Sequence, residues 1–456
     1  MSIQTLPFKD YHQKFHTTDH NKLTYGEVHT DFILINQMLD LLPEELFYNP
    51  HKKWLDPCCG KGYFFIALYQ RLFKYLSHIL PHPQERHTHI IENMLYMVEL
   101  NGEHIPELFS IFGENANILN GDFLSLTNQK YDIIIGNPPF NINGRIKVPT
   151  RKNSSKKADG KRIWGAFMKK AIQCLNYFGT LVFITPAIWM KSDHPMNSFI
   201  THFRIQKLHT MTNTETNRIF HGQAQTPTCY FLLRAYAINE TSIDLYDTTT
   251  ETYIHYRQPF DTKKSLPMSA AALFKKLLPF IKKSQSIVVK KTNMPRKKTQ
   301  ISLLPHKKFP HKNIKTCILN QCSPQLVVNY SNIPCAFAGI PKLVLAHKMY
   351  GFPFHDKKGE YGVSNRDNYI IYGKTEKELE RLKDFLSTKF ALYLFEGTRY
   401  RMKYLEKYVF DLIPDISQLY DFPELINDET IADYFQLTTK ERYIITHFHK
   451  KEYTFF

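Results

Sequence analysis

The residues best suited to chemistry stand at four points that share one layout, a short apolar run ending in a polar side chain. The firmest is Asn137-Pro138-Pro139-Phe140, which follows Ile133, Ile134, Ile135 and Gly136. Consecutive β-branched residues of this kind read as a fully buried strand. Two prolines then stop both helix and ladder. A neutral amide and an aromatic ring are thus held on a stiff turn at the carboxyl end of the strand, where open α/β sheets bind ligands. Trp54-Leu55-Asp56 leads into Pro57-Cys58-Cys59-Gly60-Lys61-Gly62, a strand and a tight turn whose glycines let the backbone pass close to a ligand. Phe65 stands where a dinucleotide signature would have its third glycine, so that signature is incomplete. Met94 to Val98 ends in Glu99, whose carboxylate can accept both hydroxyl hydrogens of a ribose. Asn117 to Asn120 leads to Gly121-Asp122-Phe123, an acceptor for an exocyclic amine beside a ring able to cover a purine. A single acid at a strand end is ordinarily a helix cap or a solvated loop residue. Four such ends in succession favour a nucleoside pocket.

The elements that must position these groups alternate strand and helix. Thr30 or Asp31 can cap a helix that starts at Phe32 and ends before Pro43. Helical patterns follow at Ile66 to Tyr75 and Trp164 to Leu175. Further strands are expected at Gly179 to Ile184, Ile205 to Thr210 and Thr228 to Leu233, with an antiparallel pairing at the end. Residues Asn141 to Arg162 are rich in Gly, Ser, Lys and Arg, with Asp159 their only acid. So long and polar a loop reads as a flap over the site that touches phosphates.

The chain has 456 residues, room for about two to three domains. Its 43% hydrophobic and 14% aromatic content is that of a folded protein, and its net charge of +17 points to a polyanionic partner. No apolar run approaches the ~20 residues needed to span a bilayer, and Met1-Ser2-Ile3-Gln4-Thr5-Leu6 lacks a signal-peptide layout. The seven cysteines include no CxxC pair, so neither a metal site nor a disulfide framework is indicated. These features suggest a soluble intracellular protein without membrane association. Composition changes after about Ala235, and no Asp or Glu occurs between Asp261 and Asp356, where Lys and Arg recur. That span fits a surface laid along a phosphate backbone.

In order and spacing these stretches resemble the adenine-N6 DNA methyltransferases of the gamma class, the TaqI-like type found in restriction-modification systems. The resemblance rests on Gly26-Glu27-Val28-His29-Thr30, Asp56 to Gly62, Glu99, Gly121-Asp122-Phe123, Asn137-Pro138-Pro139-Phe140, Trp164-Gly165-Ala166-Phe167, Thr185-Pro186-Ala187-Ile188-Trp189 and Asn217-Arg218-Ile219-Phe220. It covers the first half; the second half is only generally similar to recognition domains. The resemblance implies an α/β class I methyltransferase fold. Its Rossmann-like sheet would be seven-stranded and mostly parallel, with helices on both faces, and an α+β target-recognition domain would follow. Residues 1–240 would form the catalytic domain and 241–456 the basic recognition domain.

The implied cofactor is S-adenosylmethionine. Thr30 and Asp56 would hold its methionine end, and Cys58, Gly60 and Gly62 would form the turn against it. Glu99 would take the ribose, Asp122 the adenine amine, and Phe123 and Phe167 the adenine faces. Asn137 and the Pro138 carbonyl would bind the target amine. Pro139 would stiffen the turn, and Phe140 and Phe220 would stack on the extruded base. Two departures stand out: Phe140 replaces a tyrosine common in the family, and Asp31 replaces a proline.

The implied partner is double-stranded DNA, read by a monomer that acts beside a separate cognate restriction endonuclease. RNA-adenine and cytosine-N4 methylation remain alternatives, as does a non-catalytic DNA-binding subunit. Intact Asn137, Glu99 and Asp122 speak against the last. Pro414-Asp415 is not followed by acid-x-lysine, and the stretch before Thr24 is short for a nuclease, so methylation without cleavage is expected.

Overall fold

The computed structural model describes residues 3, 18–127, 129–142, 161–224, 226–238, 240–248, 250–259, 265–320, 323–347, 352–400 and 405–448. Most of the Asn141 to Arg162 loop lies outside them, so the flap reading is not addressed. The chain divides into two compact units. One comprises Met1–Trp189, His194–Leu245 and Arg257–Asp261, the other Met190–Asp193, Tyr246–Tyr256 and Thr262–Phe456.

The largest sheet lies mainly in the first unit. Its strands are β1 (Trp54–Asp56), β2 (Leu95–Glu99), β3 (Asn117–Asn120), β4 (Tyr131–Gly136), β5 (Leu175–Pro186), β6 (Phe203–Met211) and β7 (Thr228–Ala237). They are followed by β8 (Glu240–Asp247) and β9 (Thr252–Pro259), and the sheet order is β9-β8-β6-β7-β5-β4-β1-β2-β3. β1 pairs in parallel with β2 and β4, β2 with β3, and β4 with β5. β7 runs antiparallel between β5 and β6. The sheet therefore has nine strands, not the seven expected. β8 adds in parallel to β6, with Asp244 opposite Lys207 and Leu245 opposite Leu208. Its alternation of buried Ile243 and Leu245 is a genuine strand pattern, and pairing there satisfies the outer edge of β6.

β4 lies inside this sheet, and Ile133, Ile134 and Ile135 are wholly buried. Ile133 and Ile135 join one apolar cluster with Phe32, Ile35 and Leu39 of helix α1 (Phe32–Leu39) and Phe65, Leu68 and Leu72 of α2 (Tyr63–Tyr75). Ile134 and its neighbours Leu55 and Leu181 are equally buried but outside that cluster. With side chains alternating along a strand, both faces of the sheet must be covered. A third helix, α3 (Trp164–Cys174), packs on β5.

α1 begins where Asp31 caps it, accepting the Ile33 N–H at 2.7 Å. α2 begins at Gly62, whose φ of +79° is left-handed. A side chain there would meet the Phe112 ring at 2.7 Å, so glycine is required on two counts.

The second unit contains two four-stranded sheets and several helices. One sheet orders Lys290–Lys291, Asn368–Tyr372, Lys342–Ala346 and Phe354–Asp356; the other orders Ile301–Ser302, Ser323–Ser331, His311–Asn320 and Gly362–Val363. Ile314, Cys317, Val344, Ala346, Val363 and Ile370 form a shared core. The amphipathic pattern at Leu379 to Phe385 is realised as the helix Glu376–Leu386, closed at its start by a Thr375–Glu378 capping box.

The side chain of Lys342 is fully buried. Its ammonium meets Asp356 Oδ2 at 2.6 Å and donates to the carbonyls of Phe337, Ile340 and Tyr361. Replacing it with methionine leaves the buried Asp356 charge with only the Glu360 and Tyr361 N–H groups, at 2.9 and 3.1 Å, to offset it. Lys342→Met should therefore cost ~3–5 kcal/mol, read as a fall in the urea midpoint, while Lys342→Met combined with Asp356→Leu should recover much of the loss.

Candidate functional site

The carboxyl ends of β1, β2 and β4 and the loop after β3 open onto a cavity of about 370 Å³. Among the residues singled out in the sequence, Thr30, Cys58, Gly60, Glu99, Asp122, Phe123, Asn137, Pro139 and Phe167 line it. Asp56, Gly62, Pro138, Phe140 and Phe220 do not. Asp56 lies beneath the wall at 1% exposure, and Pro138 is also buried. Phe140 is half-buried, and its carbonyl accepts the Ile163 N–H at 3.2 Å. Phe220, at 1% exposure, belongs to the apolar cluster under the sheet.

Backbone donors fix the acidic groups. Glu99 accepts the Gly60 N–H and the Asn101 N–H, one on each carboxylate oxygen, both at 2.7 Å. This locks its plane and leaves further lone pairs for a ligand. Burial nevertheless raises its pKa, against the lowering effect of those two N–H groups. Asp122 accepts the Leu124 N–H at 2.9 Å and so caps the short turn Phe123–Ser125, while remaining exposed at the cavity edge. Behind it the rings of Phe123 and Phe167 lie 5.6 Å apart at 34°. They form an apolar corner where the planar part of a ligand can rest.

Asp56 is the electrostatic anomaly. Its Oδ1 accepts the Cys58 N–H at 3.1 Å, but its Oδ2 is buried with no hydrogen-bond partner among the described residues. Burial, offset in part by the Cys58 N–H and reinforced by Glu99, pushes its pKa up to about 8. The group therefore holds a proton at neutral pH.

Residues not singled out for themselves complete the wall. The stretch Gly26 to Thr30 also lines the cavity. Glu27 reaches His104 Nε2 at 3.2 Å and His29 Nε2 at 3.5 Å. Burial opposes charge on both partners. The Glu27–His104 hydrogen bond and attraction prevail, raising His104 and lowering Glu27 from their ordinary values. Burial dominates at His29, whose pKa falls to about 4 despite Glu27. Glu27 and His104 are 77 positions apart, and no local pattern links them.

Asn137, at the end of β4, donates through Nδ2 to Thr30 Oγ1 at 3.0 Å and more weakly to the Val28 carbonyl at 3.5 Å. Its Oδ1 receives no hydrogen bond from the described residues. A neutral acceptor thus stands at the cavity wall, with its donor half already occupied.

Residues 68–220 match the family model described as the Eco57I restriction-modification methylase. The matched stretch contains Glu99, Asp122, Asn137, Phe167 and Phe220. It resembles a restriction-modification methylase. A protein from Mycoplasma pneumoniae described as an uncharacterized adenine-specific methylase is 42% identical over 77 residues, covering 16% of this chain and 18% of that protein. The type II methyltransferase M.TthHB8I of Thermus thermophilus is 33% identical over 76 residues, covering 14% and 18%. The chain thus spans less than a fifth of the length of either curated relative. The type IIL restriction-modification enzyme MmeI, solved in complex with DNA, is 11% identical, with 95% of this chain and 80% of that chain covered and a TM-score of 0.45.

The Asp56 carboxyl gives a signed pH prediction. Its raised pKa means that the folded state takes up a proton that the unfolded chain has lost. Stability is thus full below the ordinary carboxylate value of 3.8 and falls as pH rises towards about 8. Asp56→Asn keeps the acceptor for Cys58 and removes that titration. Without added cofactor, the variant should gain on the parent by up to ~1.4 kcal/mol per pH unit through this window. Urea midpoints across the window check this, and parallel curves would contradict it.

Proposed function

We propose that the chain is a site-specific DNA adenine-N6 methyltransferase that moves a methyl group from S-adenosylmethionine to an adenine turned out of the duplex. The observation that carries this reading is the Asn137 amide, whose nitrogen is engaged by Thr30 and whose oxygen is left at the cavity wall.

The cavity residues suit such a cofactor. The Oδ2 of Asp56 is a buried carboxyl oxygen without a partner among the described residues, and once its proton is lost it suits an ammonium. A side chain built on Gly60, at φ +55°, would meet nothing within 4 Å, so the turn leaves room beside its backbone. Glu99 is oriented for ribose hydroxyls, and Phe123 and Phe167 form a corner for an adenine ring. Thr30 and Asp56 would hold the methionine end, with Cys58, Gly60 and Gly62 shaping the turn. S-adenosylmethionine would supply an electrophilic methyl on its sulfonium.

The remaining work is done by the chain. The exocyclic amine of adenine is a weak nucleophile because its lone pair is delocalised into the ring. Asn137 Oδ1 and the Pro138 carbonyl accept its two hydrogens. This favours a pyramidal nitrogen and stabilises the positive charge that grows on it. Asparagine performs this without titrating, and the two prolines keep both oxygens in place, so that transfer needs mainly alignment. Phe140 provides a stacking face for the extruded base.

DNA is favoured as the polymer by the acid-free span of the second unit. Lys290, Lys291, Arg296, Lys297, Lys298, Lys307 and Lys308 are all exposed there, and none is in an ion pair among the described residues. Such unpaired cations suit phosphates. Methylation without cleavage, beside a separate endonuclease, completes the reading.

Purified protein given radiolabelled S-adenosylmethionine should label adenine in duplex DNA, and not RNA or protein. Asn137→Ala should lower the single-turnover rate by roughly 10²-fold or more while cofactor and DNA affinities change little. Label in RNA alone, or an undiminished rate in the variant, would refute the proposal, and metal-dependent cutting would refute its restriction to methylation.

A further inference from the structure

We infer that Thr30 is a positioning residue for Asn137: it holds the amide nitrogen towards the Gly26–Thr30 strap and so commits the amide oxygen to the cavity. The inference rests on the methyl-transfer reading above and adds to it the device that chooses between the two ends of the amide.

An asparagine side chain is nearly symmetrical in shape, and its two ends have opposite chemistry. Turned over, Asn137 would present N–H groups to an amine that itself offers hydrogens, and the site would repel its substrate. Thr30 Oγ1 alone cannot decide the orientation, because a hydroxyl can donate or accept. The Val28 carbonyl can only accept, and it lies on the same side at 3.5 Å. Together the two neighbours admit only the nitrogen. Thr30 is 4% exposed, so water does not readily take its place.

The strap that carries Thr30 is itself pinned. Asp31, the next residue, caps α1 through the Ile33 N–H. At the other end Gly26 has φ +70°, and a Cβ there would come within 2.2 Å of the Asn141 carbonyl oxygen. Only glycine lets the strap lie so close to the chain that leaves the Asn-Pro-Pro-Phe turn. Glu27 binds the strap to His104. Thr30 is thus fixed relative to the turn from three directions, as a residue that orients another must be.

The hydroxyl of Thr30 has one hydrogen left after accepting from Asn137. That hydrogen can be donated to an acceptor in the cavity such as the carboxylate of the cofactor's methionine end. A ligand there would fix the hydroxyl as an acceptor towards Asn137, so that cofactor binding would stiffen the amide before the base arrives. Thr30 would then serve both molecules, and its two effects separate experimentally.

The test compares Thr30→Val, which is close in shape but has no hydroxyl, with Thr30→Ser, which keeps it. At saturating cofactor and duplex DNA, Thr30→Val should slow the single-turnover methyl transfer at least tenfold, and Thr30→Ser should bring it back to within about threefold of the parent. A rise in the cofactor KM alone, with the saturated rate unchanged, would assign Thr30 to cofactor contact only and overturn the positioning role. Side-chain amide exchange, followed by nuclear magnetic resonance on protein labelled at asparagine nitrogen, gives a second readout that needs no turnover. The Asn137 NH2 signals, identified by their loss in Asn137→Ala, should exchange slowly in the parent and Thr30→Ser and rapidly in Thr30→Val. Unchanged exchange in Thr30→Val would overturn the inference. If the parent methylates nothing, the functional reading fails and the exchange result still decides whether Thr30 holds the amide.

Discussion

The burial of Ile133, Ile134 and Ile135 on both faces of the sheet is the constraint from which the site follows. Three wholly buried branched side chains in succession leave β4 no freedom to slide, since a shift of one residue would exchange the contents of two packed faces. The strand end is therefore fixed in space, and Pro138 and Pro139 prevent the chain from relaxing as it leaves. Asn137 acquires a defined position from packing rather than from any contact of its own. The hydrogen bonds to Thr30 and to the Val28 carbonyl then have only one torsional choice to settle, which end of the amide faces the cavity. Two hydrogen bonds of net worth ~0.5–1.5 kcal/mol each are adequate for that task. They would be inadequate for holding a mobile loop in place.

The same pocket gathers charge that folding alone would not favour. Glu99 and Glu27 line one cavity with Asp56 beneath its wall, and burial disfavours the charged form of each. Each is managed differently. Glu27 is paired with His104, Glu99 is braced by two backbone N–H groups, and Asp56 keeps its proton. The gradation follows donor supply, because the group with one backbone donor and a bare oxygen is the one pushed furthest. An arrangement that raises a carboxyl pKa in the absence of ligand is suited to a cationic one, which can supply the missing donors.

The strands that carry the site were legible because each depends on a local pattern. β3 was readable to the residue, and β4 was marked by its isoleucines and its prolines. The neighbours of α1 narrowed its cap to Thr30 or Asp31, and Asp31 takes the role. What was not legible depended on contacts distant in sequence. Nothing near Glu27 names His104, and nothing near Thr30 names Asn137, 107 positions away. β8 was overlooked for a different reason. Its alternating Ile243 and Leu245 lie just past the change in composition near Ala235, which masks a strand that pairs back onto β6. Asp122 shows the limit of reading by type: the residue caps a turn and also faces the cavity, and its identity fits either role.

Phe140 and Phe220 illustrate how burial weighs two rings of the same chemistry. Phe220 ends the short helix Asn213–Ile219, its N–H bonded to the Thr216 carbonyl, and its ring is packed in the apolar cluster with Met211 and Tyr230. For that ring to stack on a base it must leave the cluster, which forfeits the ~1.5–3 kcal/mol that burying a phenylalanine contributes. Base–aromatic stacking returns ~1–3 kcal/mol, so the exchange is close to neutral and gives the ring little net pull on a base. Phe140 is half-buried on the stiff turn beside Asn137, and stacking there adds contact without removing any. Under the methyl-transfer reading, the ring that need not leave its place would be the stronger platform of the two, and it stands on the turn that carries the Asn137 amide.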